Sequence, residues 1–85
     1  MFKIKATDGT NNLCGRRVAL IRKEKKLSQR KLAAKMQILG FDVDHYFIRR
    51  VENGERFVTD IDLVIFSRSL GVSISTLLPE NEIQL

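Results

Sequence analysis

Apolar residues recur along residues 13–78 at the three- and four-residue spacing of an α-helix, and they divide this stretch into short segments. Near the N-terminus, Phe2 and Ile4 alternate with Lys3 and Lys5, a pattern that suits either a short strand or a loose arm. The residues expected to face inward are Cys14, Val18, Ile21, Leu32, Ala33, Met36, Leu39, Ile48, Val51, Leu63, Phe66 and Leu70. The pattern predicts an all-α chain with five short helices.

Residues that favour helix ends stand at the edges of these segments. Ser28, Asp44 and Ser73 are typical N-cap residues, and Thr59 followed by Asp62 has the spacing of a capping box. The other ends are marked by Gly40, Asn53-Gly54, Gly71 and Pro79. The expected helices span residues 13–25, 28–39, 45–52, 59–70 and 74–78.

The chain has 85 residues, which suits one small domain. We divide it into an N-terminal arm (1–12), which we expect to be partly ordered, a helical domain (13–79) and a short C-terminal tail (80–85). The single cysteine excludes an internal disulfide, and no apolar run reaches the length of a membrane helix. No secretory signal is evident, so we expect a cytoplasmic protein without membrane contact.

Positive charge is concentrated in one part of the chain. Residues 16–31 contain eight basic residues against Glu24 alone, namely Arg16, Arg17, Arg22, Lys23, Lys25, Lys26, Arg30 and Lys31. Residues 59–85 contain only Arg68 against four acidic residues. The basic block is a candidate surface for a polyanion, although a solvated helix face would account for it equally well.

Several groups of residues follow one another in a characteristic order. They are Arg22, Leu27-Ser28-Gln29, Leu32-Ala33, the heptapeptide Ile-Arg-Arg-Val-Glu-Asn-Gly at residues 48–54, and Leu70-Gly71-Val72-Ser73. In this combination, residues 15–78 resemble the helix-turn-helix family of phage Cro and CI repressors, the XRE-type regulators. The resemblance implies a compact five-helix domain of the phage-repressor type, dimeric on DNA, whose second and third helices form the helix-turn-helix.

The same resemblance identifies candidate DNA-contacting residues. Arg is well suited to bidentate contact with guanine, and His45, Tyr46 and Arg50 match the family's base-contacting positions, whereas Arg49 lies nearer a phosphate. Gln29 and Asn53 match phosphate-contacting positions. The full candidate set is Ser28, Gln29, Arg30, Asp44, His45, Tyr46, Arg49, Arg50, Asn53 and Arg56. Arg22 and Glu52 resemble a structural ion pair between helices one and three.

One feature departs from the family. The segment from Met36 to Asp44 is longer than the turn of about 3–4 residues that usually joins the two helices of this motif. We interpret the excess as an added turn of helix two, followed by a loop whose Phe41 and Val43 pack into the core. The departure leaves open the docking angle of helix three.

Other chemistries have little support in the sequence. His45 is the only histidine and lies far from Cys14, so we expect no metal site. No nucleophile–base–acid set and no glycine-rich phosphate loop occur, so we expect no enzyme, no cofactor and no small-molecule ligand. The sequence predicts a sequence-specific, double-stranded DNA-binding transcriptional regulator, a repressor that inserts helix three into the major groove and acts as a homodimer on an operator. The alternative is an antitoxin-like or adaptor module that uses the same fold to bind a protein.

We expect the dimer to form through the acidic C-terminal half, where Leu77, Leu78, Ile83 and Leu85 supply apolar surface, unless Leu77 and Leu78 close the monomer core instead.

Overall fold

Five α-helices follow one another in the computed structural model, which describes residues 9–79. Their bounds are α1 Gly15–Glu24, α2 Gln29–Ile38, α3 His45–Glu52, α4 Asp60–Leu70 and α5 Ile74–Leu77. No strand occurs in this part of the chain. The prediction of an all-α five-helix fold is therefore confirmed, whereas the predictions made for residues 1–8 and 80–85 lie outside the described residues.

Side-chain caps determine where three of the helices begin. Ser28 Oγ accepts from the Lys31 N–H at 3.0 Å, and Asp44 Oδ1 accepts from the Phe47 N–H at 3.1 Å. Thr59 and Asp62 form the reciprocal capping box, with both hydrogen bonds at 3.0 Å. Each cap satisfies a backbone donor that the first turn cannot pair, and such caps are worth about 1 kcal/mol.

All five helices contribute to one apolar core. Its buried members are Cys14, Val18, Ile21, Leu32, Ala33, Met36, Ile48, Val51, Phe66, Leu70 and Leu77. The expectation that Leu39 faces inward is wrong, because its side chain is 45% exposed. Helix α2 ends at Ile38 and the chain reverses at Gly40, whose φ is +94°, so Leu39 lies beyond the last turn that packs on the core.

The joint between α2 and α3 packs against the core as a folded segment. The Phe41 N–H donates to the Met36 carbonyl at 3.0 Å, and Gln37 Nε2 donates to the Val43 carbonyl at 2.7 Å. Phe41 and Val43 are partly buried against the core, as expected. The additional residues therefore hold α3 at a defined position and do not form a long open loop.

Helix α1 approaches the end of α3 very closely. A Cβ atom added to Gly15 would lie 2.2 Å from the Val51 carbonyl oxygen, a distance that no side chain tolerates. Glycine at this first residue of α1 therefore allows the backbones to meet, and the contact sets the position of the C-terminal end of α3.

Candidate nucleic-acid interface

Helix α3 has one face anchored in the core and the opposite face exposed. Ile48 and Val51 are fully buried. Because successive residues are rotated by about 100° around a helix axis, Tyr46 and Asn53 project directly away from these two anchors. Tyr46 is 57% exposed. The helix thus presents a polar and aromatic surface while its inner face is held by packing.

Two arginines border this outer surface. Arg49 and Arg50 lie on either side of the line joining Tyr46 to Asn53, and both are exposed. Each guanidinium is a planar donor that can form paired hydrogen bonds with a guanine edge or a phosphate. The arrangement places two permanent positive charges on the most accessible part of α3.

The first residues at α3 differ in their surroundings. His45 is half-buried, and its ring centroid lies 4.1 Å from that of Tyr46. A shallow groove between α2 and α3 is lined by His45 together with Arg30 and Gln37. Asp44 uses one carboxylate oxygen to cap the helix, so its position is determined by the start of α3.

An ion pair links the first and third helices. The Arg22 Nε and Glu52 Oε2 atoms are 2.6 Å apart, and the two side chains are only 10% and 7% exposed. Arg22 Nη2 also donates to Glu52 Oε1 at 2.9 Å, and Nη1 donates to the Leu27 carbonyl at 2.9 Å. The hydrogen bonds that Arg22 donates to Glu52 raise the pKa of Arg22 above its usual value, against the effect of burial.

Gln29, the first residue of α2, joins the same network. Its Nε2 donates to Glu52 Oε1 at 3.1 Å. A carboxamide nitrogen carries two hydrogens, so the second remains able to donate to another acceptor. Glu52 therefore connects α1, α2 and α3, and it orients the N-terminal end of α2 relative to the exposed face of α3.

The loop after α3 contains two further candidate residues, Asn53 and Arg56. The Arg56 guanidinium carbon lies 4.8 Å from the centre of the Phe47 ring, and Phe47 stacks on the buried Phe66 with centroids 5.9 Å apart. A cation over an aromatic face is attracted by the ring. The contact limits the positions of an otherwise exposed arginine.

Residues 10–12, which we call the N-terminal clasp, form hydrogen bonds with this loop. The Asn11 N–H donates to the Gly54 carbonyl at 2.8 Å, and Asn11 Nδ2 donates to the Glu55 carbonyl at 2.8 Å. Asn12 Nδ2 donates to the Val51 and Arg56 carbonyls at 3.1 and 2.8 Å. Sequence reasoning missed these asparagines, because about forty positions separate the partners and Asn11-Asn12 resembles an ordinary turn.

The basic block is mostly accessible. Of its eight residues only Arg22 is buried, and the others are exposed: Arg16, Arg17, Lys23, Lys25, Lys26, Arg30 and Lys31. They come from α1, the turn after it and the beginning of α2. The turn itself requires a left-handed residue, Lys26, with φ of +58°.

Groups suited to nucleophilic chemistry or metal binding are scarce among the described residues. Cys14 is 1% exposed, and burial raises the pKa of its thiol to about 11. No cluster of three or more His, Cys, Asp or Glu side chains suitable for a metal ion occurs within residues 9–79. None of the helices there is both long and apolar enough to span a membrane.

Comparison with known proteins finds similar folds among solved structures. The restriction-modification controller protein C.AhdI from Aeromonas hydrophila is 26% identical, with a TM-score of 0.67, over 75% of this chain and 89% of that chain. The hypothetical transcription factor NHTF from Neisseria is 20% identical, with a TM-score of 0.71, over 96% of this chain and 90% of that chain. No protein-family model and no curated protein matches the chain. The predicted resemblance to Cro/CI-type helix-turn-helix regulators is confirmed for the fold.

Proposed function

We propose that this protein is a sequence-specific regulator of transcription that binds double-stranded DNA and inserts α3 into the major groove. The observation that carries the proposal is the two-sided character of α3. Its inner residues Ile48 and Val51 are fully buried, and its outer face presents Tyr46, Arg49 and Arg50. A recognition helix needs a rigid attachment on one side and hydrogen-bonding groups for base edges on the other.

The candidate residues divide into two roles. His45, Tyr46 and Arg50 read base edges, and Arg49 contacts a phosphate. Gln29 donates its second amide hydrogen to a phosphate, next to the N-terminal turn of α2, where Ser28 and Arg30 lie and the helix dipole favours an anion. Asn53 and Arg56 bind the DNA backbone from the loop after α3. Asp44 contributes indirectly, because its side chain caps the first turn of the recognition helix.

The solved structures support the same class of function. C.AhdI is described as a restriction-modification controller and NHTF as a hypothetical transcription factor, and neither is described as an enzyme. We accordingly propose a non-enzymatic, cytoplasmic regulator that represses transcription as a homodimer on an operator with two-fold symmetry. It needs no cofactor for this role.

An adaptor or antitoxin-like function is the second candidate, and the α2–α3 joint favours it. Ile38 is 84% exposed and Leu39 is 45% exposed, and neighbouring exposed apolar residues suit a protein partner. The exposed basic block favours DNA, because a protein-binding core is usually depleted in charged residues.

Selection of bound sites from a pool of random duplex DNA tests the proposal directly. We expect an enriched palindrome, with affinity that falls steeply with salt because each neutralised phosphate contributes about −0.9 to the log–log slope. The control is the Arg49→Ala/Arg50→Ala double variant, which should retain weak, unselective binding through the basic block. Absence of enrichment, together with salt-independent binding, would reject a DNA-binding function and favour the adaptor.

A further inference from the structure

The N-terminal clasp lies on the carbonyl groups that end α3 and begin the α3–α4 loop (residues 53–59). Three donor groups, the Asn11 N–H and the side-chain amides of Asn11 and Asn12, form four hydrogen bonds with the carbonyl oxygens of Val51, Gly54, Glu55 and Arg56. The clasp is itself braced, since Thr10 Oγ1 donates to the Asn12 carbonyl at 2.9 Å. Carbonyl groups at the end of α3 and in the following loop therefore gain partners from a segment about forty positions away in the sequence.

The glycine of the loop has no side chain, and this leaves room for Thr10 of the clasp. Gly54 has φ of +76°, and a Cβ atom there would lie 2.6 Å from Thr10 Cγ2. A larger residue at this position would displace the Thr10 side chain and strain the backbone. This arrangement brings the clasp within van der Waals contact of the residue next to Asn53.

Asn12 also fixes the start of α1. Its Oδ1 accepts from the Gly15 N–H at 2.8 Å, while its Nδ2 donates to the Val51 carbonyl in α3 and to the Arg56 carbonyl in the loop. One carboxamide thus bridges the first residue of α1 and both ends of the segment that carries Asn53 and Arg56. The side chain has donor and acceptor in the geometry that both partners require.

We infer that Asn12 is a positioning residue for DNA binding, which holds the α3–α4 loop in its bound conformation before DNA arrives. The inference rests on the proposed function. Asn12 contacts no DNA in this role, and it acts through the loop residues Asn53 and Arg56. A loop that is already ordered loses less conformational entropy on binding, so the clasp increases affinity without adding a contact to the nucleic acid.

Substitution of Asn12 by Ser separates the two functions of the carboxamide. A serine hydroxyl can still accept from the Gly15 N–H, but it is too short to reach the Val51 and Arg56 carbonyls together. Ser67→Ala is the control, because it removes a hydrogen bond from a side chain to a backbone carbonyl, Ser67 Oγ to Val72, near the C-terminal end of α4 and away from the clasp. Affinity is measured for mixed-sequence duplex DNA, well below both melting temperatures, using the full chain.

We expect Asn12→Ser to weaken binding about tenfold, the factor that corresponds to re-ordering about one backbone residue. Amide hydrogens of residues 53–59 should exchange faster in the free variant and recover protection on DNA. Ser67→Ala should lower the melting temperature and leave the affinity unchanged. In a background of Asn53→Ala/Arg56→Ala, the effect of Asn12→Ser should fall below about twofold, because the residues it positions are gone.

Three results overturn the inference: wild-type affinity in Asn12→Ser, an undiminished loss in the double-variant background, or an equal loss in Ser67→Ala. Asn12→Asp, which keeps an acceptor for the Gly15 N–H but has no donor for the Val51 and Arg56 carbonyls, is the second variant if Asn12→Ser unfolds, and wild-type exchange of the loop amides in the free Asn12→Asp protein overturns the inference as well. Failure of the wild-type chain to bind duplex DNA rejects the proposed function and this inference with it. That result appears before any variant is compared, so the two failures are distinguishable.

Discussion

Glu52 joins the two helices of the helix-turn-helix to α1. It accepts hydrogen bonds from Arg22 and Gln29, and its side chain is 7% exposed. Glu52→Ala leaves a buried guanidinium without its counter-ion, and breaking such a pair costs about 3–5 kcal/mol. We expect a large decrease in melting temperature. Glu24→Ala, an exposed acid at the end of α1, is the control and should change stability by less than about 0.5 kcal/mol. Equal melting curves for the two variants would show that the pair contributes nothing.

Burial of Cys14 makes the free energy of unfolding depend on pH in the alkaline range. The folded state holds the pKa of its thiol at about 11, compared with 9.0 for an unburied thiol. Between these values the unfolded chain loses a proton that the folded chain keeps, so the free energy of unfolding falls as pH rises from about 9 to 11. The maximum loss is about 3 kcal/mol. Denaturant titrations across this range should show the fall in wild type and a shallower one in Cys14→Ala. An equal fall of the free energy of unfolding with pH in wild type and Cys14→Ala would contradict the assignment of this effect to Cys14.

Arg50 and Lys26 should differ in what they contribute to DNA binding. Arg50 lies on the outer face of α3, whereas Lys26 belongs to the exposed basic block. Arg50→Ala should relax base preference at one position of each half-site, at a cost of about 1–3 kcal/mol. Lys26→Ala should weaken binding to all DNA sequences alike. It should also make the log–log slope of affinity against salt shallower by about 0.9, the contribution of one phosphate. Site selection with each variant measures base preference, and a salt titration of each variant measures the slope. An unchanged consensus for Arg50→Ala would mean that the long α2–α3 joint gives α3 a different docking angle.

At the level of the helices, capping chemistry made the fold predictable. Ser28, Asp44 and Thr59 form the expected side-chain caps, and α3 begins and ends at the expected residues. A capping side chain and its backbone partner lie within one helical turn of each other, so the sequence alone is enough to predict the contact. Leu39 shows the limit of periodicity, because the apolar spacing continues past the point where the chain leaves the helix. The candidate face of α3 followed from the same periodicity together with the family resemblance.

Contacts between distant segments could not be predicted in the same way. The clasp joins residues 10–12 to residues 51–56, and its hydrogen bonds involve backbone carbonyls that have no signature in the side-chain sequence. The close approach of α1 to α3 is similar, since a glycine that begins a helix usually indicates only flexibility. Both features require the tertiary arrangement, because their partners become neighbours only after the core has formed.

The approach of α1 to α3 gives a prediction at Gly15. Alanine normally stabilises a helix relative to glycine, but here its Cβ would lie 2.2 Å from the Val51 carbonyl oxygen. Because the obstacle is backbone, α1 must shift, and overpacking of this kind costs about 1–3 kcal/mol. Gly15→Ala should therefore lower the melting temperature and weaken DNA binding by moving the end of α3. The control is Ala34→Gly on the exposed side of α2, which tests helix propensity alone. A stabilised Gly15→Ala protein would contradict the close packing.

Across residues 9–79, most of the exposed positive charge lies on α1, the α1–α2 turn, α2 and α3, whereas the acidic residues Asp60 and Asp62 lie on α4. This distribution leaves part of α4 and α5 for contact with a second copy. Leu77 is fully buried in the core, so the expectation that it supplies dimer surface is wrong, because it closes the monomer. Leu78 is partly buried against the core, and Ile83 and Leu85, the remaining expected contributors, lie outside the described residues. The exposed apolar residues on these helices are Ile61 and Ile74, at 63% and 38%.

We therefore expect a two-fold dimer formed through Ile61 and Ile74. The principal extents of the molecule are 36 by 26 by 18 Å, so two copies side by side can place their α3 helices about 34 Å apart, one turn of DNA. Sedimentation with and without the selected duplex should show two copies per palindromic site. Ile61→Ser/Ile74→Ser should shift the free protein to monomer and bind half-sites independently, whereas Ile38→Ser, at an even more exposed position on α2, should remain dimeric. One wild-type copy per site in every condition would contradict the dimer and leave α3 reading a single half-site.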